Sequence, residues 1–173
     1  MRVLTLYLRS HAVPQMVVGV VLVSLGLLLL GTELWLIAMA VGVGVSMAST
    51  GLGGQDVDLD RTGAVPWPLW RAIHIVAISA LMVVAFSWSG LEVTIRAAVG
   101  LTGLAAIGTV FLGRQLAWLP PVVWVLITVW LPVTNDVVQW LIRPPETTAS
   151  TVTAVVLGLV GLVCYTFRGP ARV

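Results

Sequence analysis

Long apolar runs separated by short polar links fill most of this 173-residue chain. Apolar residues make up 59% of the chain, charged residues make up 9%, and the mean hydropathy is +1.06. A chain of this composition cannot cover one soluble core with a surface that water tolerates. The pattern predicts an all-α, polytopic membrane protein, with room for several spans of about 20 residues but none for a soluble catalytic domain. We therefore expect no enzymatic activity in the chain itself, and any ATP hydrolysis would belong to a partner subunit.

The apolar runs predict one transmembrane domain over residues 1–173 with six helices. An amphipathic helix at 2–12 is expected to lie in the membrane interface, because polar and apolar residues mix along it. A second amphipathic segment, 133–149, is predicted as a short helix at the outer interface, between helices five and six. Glycine, proline and short polar links delimit the six spans, predicted at about 13–30, 35–50, 72–88, 92–112, 119–131 and 150–167.

Arginine sets the predicted orientation of the spans. All nine basic residues are Arg, and they lie singly at the edges of apolar runs, which indicates topology control rather than nucleic-acid binding. With six spans, both termini share one side with every Arg except Arg96 and Arg143. The positive-inside rule then places both termini and the loop 51–71 in the cytoplasm. The absence of Lys suggests a GC-rich bacterial genome, and hence the bacterial inner membrane.

The loop 51–71 is the longest polar interruption of the chain. Its run Asp56, Asp58, Asp60 has the alternating acidic spacing that opens a calcium-binding loop. However, no Gly follows at the sixth position of that loop, and the twelfth position is Trp67 instead of Glu. Two interpretations remain, a solvated acidic loop and a docking surface in which the three carboxylates and Arg61 contact a soluble subunit.

The remaining motifs predict no catalytic, metal or cofactor site. His11 and His74 have no second His or carboxylate at helical spacing, which leaves an interhelical hydrogen bond or an interface position as the more ordinary role. The single Cys164 cannot form an intramolecular disulfide. The glycines of 51–54 lack the Lys-Ser or Lys-Thr that would complete a nucleotide-binding loop.

Two features within the predicted spans need an explanation. Glu92 precedes Arg96 by one helical turn, so these two side chains are expected to neutralise each other on one helix face. Trp124 and Trp130 lie in span five, apart from the interfacial belts that the other tryptophans are expected to form. They either line a substrate path or have packing and lipid-facing roles.

The order of these elements resembles that of the membrane subunits of ABC-2 type transporters. In that family an interfacial elbow helix precedes the first span, and the loop between spans two and three carries a coupling helix that docks on an ATPase. The segment between spans five and six dips back from the outside. The resemblance implies these roles for 2–12, 51–71 and 133–149 here. It also implies an exporter subunit that pairs with itself or a second permease and is driven by a separate cytoplasmic ATPase, with Asp56, Asp58, Asp60 and Arg61 as contacts.

Two other classes of function stay open at this point. A non-transporting accessory or assembly subunit would stabilise a larger membrane complex that already has a complete transport path. A gradient-driven carrier would need an ionisable residue deep in the bundle, where the sequence offers only His74 and Arg96 near span ends.

Overall fold

The structure is a computed structural model that describes residues 13–50, 52, 67–131 and 134–171. The interfacial helix predicted at 2–12 and most of the loop 51–71 lie outside these residues. The described chain contains no strand, which agrees with the predicted all-α class. It contains six α-helices: α1 (Val13–Leu30), α2 (Leu34–Ser49), α3 (Trp67–Phe86), α4 (Leu91–Leu112), α5 (Leu119–Trp130) and α6 (Thr148–Arg168).

Glycine and proline residues mark several of the helix boundaries. Gly31 follows α1 with φ +113°, and Gly169 follows α6 with φ +70°. Glycine adopts this left-handed region without the steric cost of a Cβ, so it terminates helices well. Prolines occupy the first turn of α5, where their missing amide hydrogens would be unpaired in any case. These boundaries fall within two residues of the prediction at most helix ends.

Three helical stretches are long and apolar enough to cross a membrane, namely Pro68–Ser89, Leu91–Leu112 and Thr148–Arg168. This supports the assignment of a membrane protein. Val17–Leu30 and Leu34–Ser49 are shorter apolar helices. The 12 residues of α5 extend only about 18 Å, against a hydrocarbon core of about 30 Å. The topology of six spans therefore stays a prediction.

Hydrogen bonds between distant residues define two ends of the helix bundle. At the first, the Tyr165 hydroxyl donates to the carbonyl of Leu52, and the amide of Ala171 donates to the carbonyl of Thr109 over 3.0 Å. We call this the Tyr165 end. At the second, Arg96 near the start of α4 contacts the residues that precede α6. We call this the Arg96 end.

α4 is the central helix of the bundle. Of its apolar stretch 72% is buried, against 22% for α3 and 22% for α6. Glycine explains how its neighbours come so close, because a Cβ added at Gly103 would lie 2.6 Å from the carbonyl carbon of Leu157 and 2.7 Å from the Cα of Gly158. Backbone therefore packs on backbone between α4 and α6, as small residues allow in membrane helices.

Two glycines of α2 have a similar role. A Cβ at Gly42 would lie 2.7 Å from a methyl group of Val125, and one at Gly44 would lie 2.7 Å from the sulfur of Met82. α5 therefore packs closely against Gly42, and α3 packs closely against Gly44. Glycines of α2 and α4 therefore let neighbouring helices approach closely.

Candidate functional site

Residues 134–147 connect α5 to α6 as a series of consecutive turns. The prediction of a short amphipathic helix here is therefore wrong for the described part of 133–149. Two features oppose a helix. Pro144 and Pro145 have no amide hydrogen to donate, and the carbonyls of Arg143 and Pro144 are occupied by Arg96. The residue pattern does not reveal that Arg96 competes with backbone amides for these carbonyls.

This 134–147 segment folds back into the bundle. Trp140 and Leu141 are fully buried, whereas Val137 is 49% exposed. The indole of Trp140 lies against Gly100, where an added Cβ would come within 2.7 Å of its Cζ3 atom. Gly100 lies about 13 Å from Leu91 along the axis of α4, at 1.5 Å per residue. The segment thus contacts α4 about 6 Å beyond Arg96, which is one helical turn further along α4.

Arg96 anchors the segment to α4. Only 5% of Arg96 is exposed, and its Nη1 donates to the carbonyl of Pro144 over 3.1 Å. Its Nη2 donates to the carbonyl of Arg143. Its Nε is buried and has no hydrogen-bond partner among the described residues. A buried guanidinium is thereby held by two neutral acceptors.

The expected pairing of Arg96 with Glu92 is wrong in this arrangement. Glu92 is exposed, and the guanidinium turns towards the backbone of the 134–147 segment instead. The reason is geometric, because two adjacent turn carbonyls match the two outer nitrogens of the guanidinium fork.

A second group of contacts holds the segment together internally. The Nε of Arg143 lies 2.9 Å from a carboxylate oxygen of Asp136, and its Nη2 donates to the carbonyl of Thr134 over 2.7 Å. The side chain of Asn135 accepts the amide of Val137 over 2.8 Å, which is an Asx turn. These bonds join residues within the segment, so they stabilise its shape without attaching it to the helices.

Few polar contacts other than those of Arg96 attach the segment to the helices. The hydroxyl of Ser150 donates to the carbonyl of Asp136 over 3.2 Å, and that of Thr128 reaches the carbonyl of Val138 over 3.4 Å. Both distances are at the long end for an O–H donor. The indole nitrogen of Trp140 has no hydrogen-bond partner in the described chain. Arg96 is thus the main polar attachment of the segment.

The residues predicted from the sequence lie in different places. Trp130 is 77% exposed at the end of α5, and Trp124 packs partly buried against the core. Their assignment to a substrate path stays a prediction. Asp56, Asp58, Asp60 and Arg61 lie outside the described residues, so their docking role also stays a prediction.

The Tyr165 end contains contacts that sequence reasoning missed. Tyr165 is buried, and its hydroxyl holds the carbonyl of Leu52 where the loop 51–71 begins. The guanidinium of Arg71 lies over Gly169, where an added Cβ would approach its carbon to 2.8 Å. These contacts attach the beginning of α3 and the end of α6 to one another. No periodic pattern indicates them, because they join residues about a hundred positions apart.

Among the residues that the structure describes, no three His, Cys, Asp or Glu side chains form a group that could hold a metal ion. An open apolar groove of about 490 Å³ runs between α1 and α2, lined by residues that include Val23, Gly26, Leu30, Trp35 and Met39. Its walls offer little for polar recognition.

No protein-family model, curated protein or solved structure matches this chain. Its function must therefore be inferred from the helices and the 134–147 segment themselves.

Proposed function

We propose that this chain is the membrane subunit of an ATP-driven exporter of the ABC-2 type, working with a separate cytoplasmic ATPase. The observation that carries the proposal is the 134–147 segment, which folds back from the Arg96 end and buries Trp140 and Leu141 among the helices. A segment that dips back between spans five and six is the feature that the sequence resemblance implies.

In this proposal the chain crosses the bacterial inner membrane six times, with both termini in the cytoplasm. The alternating direction of the helices and the distribution of Arg support this topology. The short α5 does not cross alone, and the 134–147 segment occupies the remaining depth on the outer side. The Tyr165 end then faces the cytoplasm, where the loop 51–71 meets the ATPase.

The partners follow from this orientation. Asp56, Asp58, Asp60 and Arg61 would contact basic and acidic groups of the ATPase across the cytoplasmic interface. A second copy of the chain, or a second permease subunit, would complete the transport path within the bilayer. Trp124 and Trp130 remain candidates for lining that path.

A copurification experiment tests this function. The chain is expressed with its chromosomal neighbours, solubilised gently and purified through a C-terminal tag. The proteins that copurify are compared with those of a variant in which Asp56, Asp58 and Asp60 are all changed to Asn. The matched control changes Glu33 and Glu146 to Gln, because both are acidic and lie at the opposite end of the bundle. We expect the native chain and the control to retain a nucleotide-binding subunit that the triple variant loses.

The alternative is a non-transporting accessory or assembly subunit. It is favoured by the close glycine packing of α4 against α6, which suits a structural helix pair. In that case the chain would be purified without a partner, or together with a complete transport complex that the triple variant leaves intact. Either result would reject the proposed ATPase docking.

A further inference from the structure

We propose that the 134–147 segment is a displaceable plug, and that Arg96 exchanges its backbone partners in the segment for the carboxylate of Glu92 when the plug leaves the bundle. This switch needs no ATPase partner, so it can be tested apart from the proposed function.

The first argument is the incomplete pairing of Arg96. Its guanidinium is buried within a membrane helix, yet both of its partners are neutral carbonyls and its Nε has no partner in the described chain. Burying a charge is costly unless a counter-charge and a full set of hydrogen bonds compensate it. The plugged arrangement therefore leaves favourable interactions of Arg96 unmade.

The second argument is the position of Glu92. It lies one turn before Arg96 on the same helix and is exposed, and within the described residues it makes no ion pair. A Glu four residues ahead of an Arg is the favourable order for an ion pair on a helix. Departure of the segment would remove both carbonyls from Arg96 and leave this carboxylate as its nearest counter-charge.

The third argument is that the segment can move as a unit. The contacts of Arg143 with Asp136 and with Thr134 are internal to the segment and would move with it. Trp140 meets Gly100 through ring carbons, and its indole nitrogen has no hydrogen bond to break. Apart from the contacts of Arg96 and the bonds from Thr151 to the carbonyl of Thr147 at the junction with α6, only the hydroxyls of Ser150 and Thr128 make polar contacts from the described helices to the segment, both at long distances.

Accessibility of a buried thiol tests the switch. The native Cys164 is changed to Ala, and Ser150 is changed to Cys, because Ser150 is fully buried beneath Asp136 and the replacement is nearly isosteric. The purified full-length protein in lipid nanodiscs is treated with a water-soluble maleimide, and the labelling rate at position 150 reports departure of the segment. Arg96→Gln, Glu92→Gln and the control Glu33→Gln are compared in this background.

We expect Arg96→Gln to label at least tenfold faster, because the plug loses its main polar attachment. We expect Glu92→Gln to label about twofold more slowly, since an ion pair of this kind on a helix contributes a few tenths of a kcal/mol to the open arrangement. Glu33→Gln should label at the background rate, because Glu33 is an acidic residue in the α1–α2 link.

The deciding variant is Glu92→Gln. A misfolded Arg96→Gln protein would also label quickly, whereas misfolding cannot make a buried thiol slower to react. The proposal is overturned if Glu92→Gln labels as fast as Glu33→Gln or faster, or if a helical Arg96→Gln protein, checked by circular dichroism, labels no faster than the background.

Discussion

α4 and α1 are both apolar helices, yet they occupy opposite kinds of position. α4 is mostly buried, and α1 exposes Leu22, Leu25 and Leu29 to 63%, 51% and 88%. Among the three long membrane-type helices, α4 is the least hydropathic and the most buried. In a bilayer the outside must be apolar, while the inside can be small and polar. High hydropathy therefore does not identify the centre of this bundle.

Glycine shows the same contrast at the level of single residues. A Cβ at Gly103 of α4 would meet the backbone of α6, whereas a Cβ at Gly26 of α1 would meet nothing within 4 Å. The importance of a glycine for helix packing therefore depends on which atoms face it. Three substitutions test this comparison between α4 and α1, and a fourth tests the Tyr165 end.

The largest effect is expected for Gly103→Ala. The new methyl group would contact the backbone of Leu157 and Gly158, which cannot rotate away, so the two helices must separate. We expect a loss of about 1–3 kcal/mol in the free energy of unfolding. Thermal unfolding in a mild detergent would measure it, and an unchanged midpoint would contradict the close packing of α4 on α6.

The next effect concerns Gly100 and its neighbour Trp140. Gly100→Ala should destabilise by about 1–2 kcal/mol, because the methyl group meets an indole that can shift slightly. In a Trp140→Phe background the smaller ring leaves room, and the cost of the same change should fall by about 1 kcal/mol. Additive effects in this double-mutant cycle would show that the segment does not rest on α4.

A third change tests the Tyr165 end. Tyr165→Phe removes the hydroxyl that donates to the carbonyl of Leu52, and leaves a buried acceptor unpaired. We expect a loss of about 1 kcal/mol in unfolding free energy. Thr153→Ala is the control, since its hydroxyl only bonds back to Ala149 on an exposed face of α6. Equal midpoints for the two variants would reject this attachment.

The smallest effect is expected for Gly26→Ala. No atom lies close enough to clash with the new methyl group, and alanine favours a helix over glycine. The unfolding free energy should stay the same or rise by up to about 1 kcal/mol. A destabilisation as large as that of Gly103→Ala would remove the distinction between the two helices.

Much of the helical layout could be predicted from the sequence. Gly31 marks the end of α1, Gly90 marks the beginning of α4, and the prolines before Val122 mark the beginning of α5. These boundaries can be predicted because each residue acts on the backbone locally. The prediction was less accurate for α3, which begins at Trp67 instead of residue 72. Pro68 was interpreted as part of the loop, although a proline in the first turn is compatible with a helix.

The contacts of the candidate site could not be predicted in the same way. A residue pattern records Glu92 near Arg96, but it does not record how close the carbonyls of Arg143 and Pro144 come. It likewise cannot show that Trp140 enters the space that Gly100 leaves. Both depend on residues more than 35 positions apart being brought together by the packing of α4 against α6.

Composition and local residue patterns were enough to indicate a helical protein of membrane type and most of its helix boundaries. These properties depend on local backbone hydrogen bonding and on the transfer of apolar side chains out of water. Which helix is central, which glycines have a close neighbour and which partners Arg96 takes became visible only in the packed bundle. In each case a local group competes with distant groups for the same contact, and the distances to the distant groups are set only when the chain has packed.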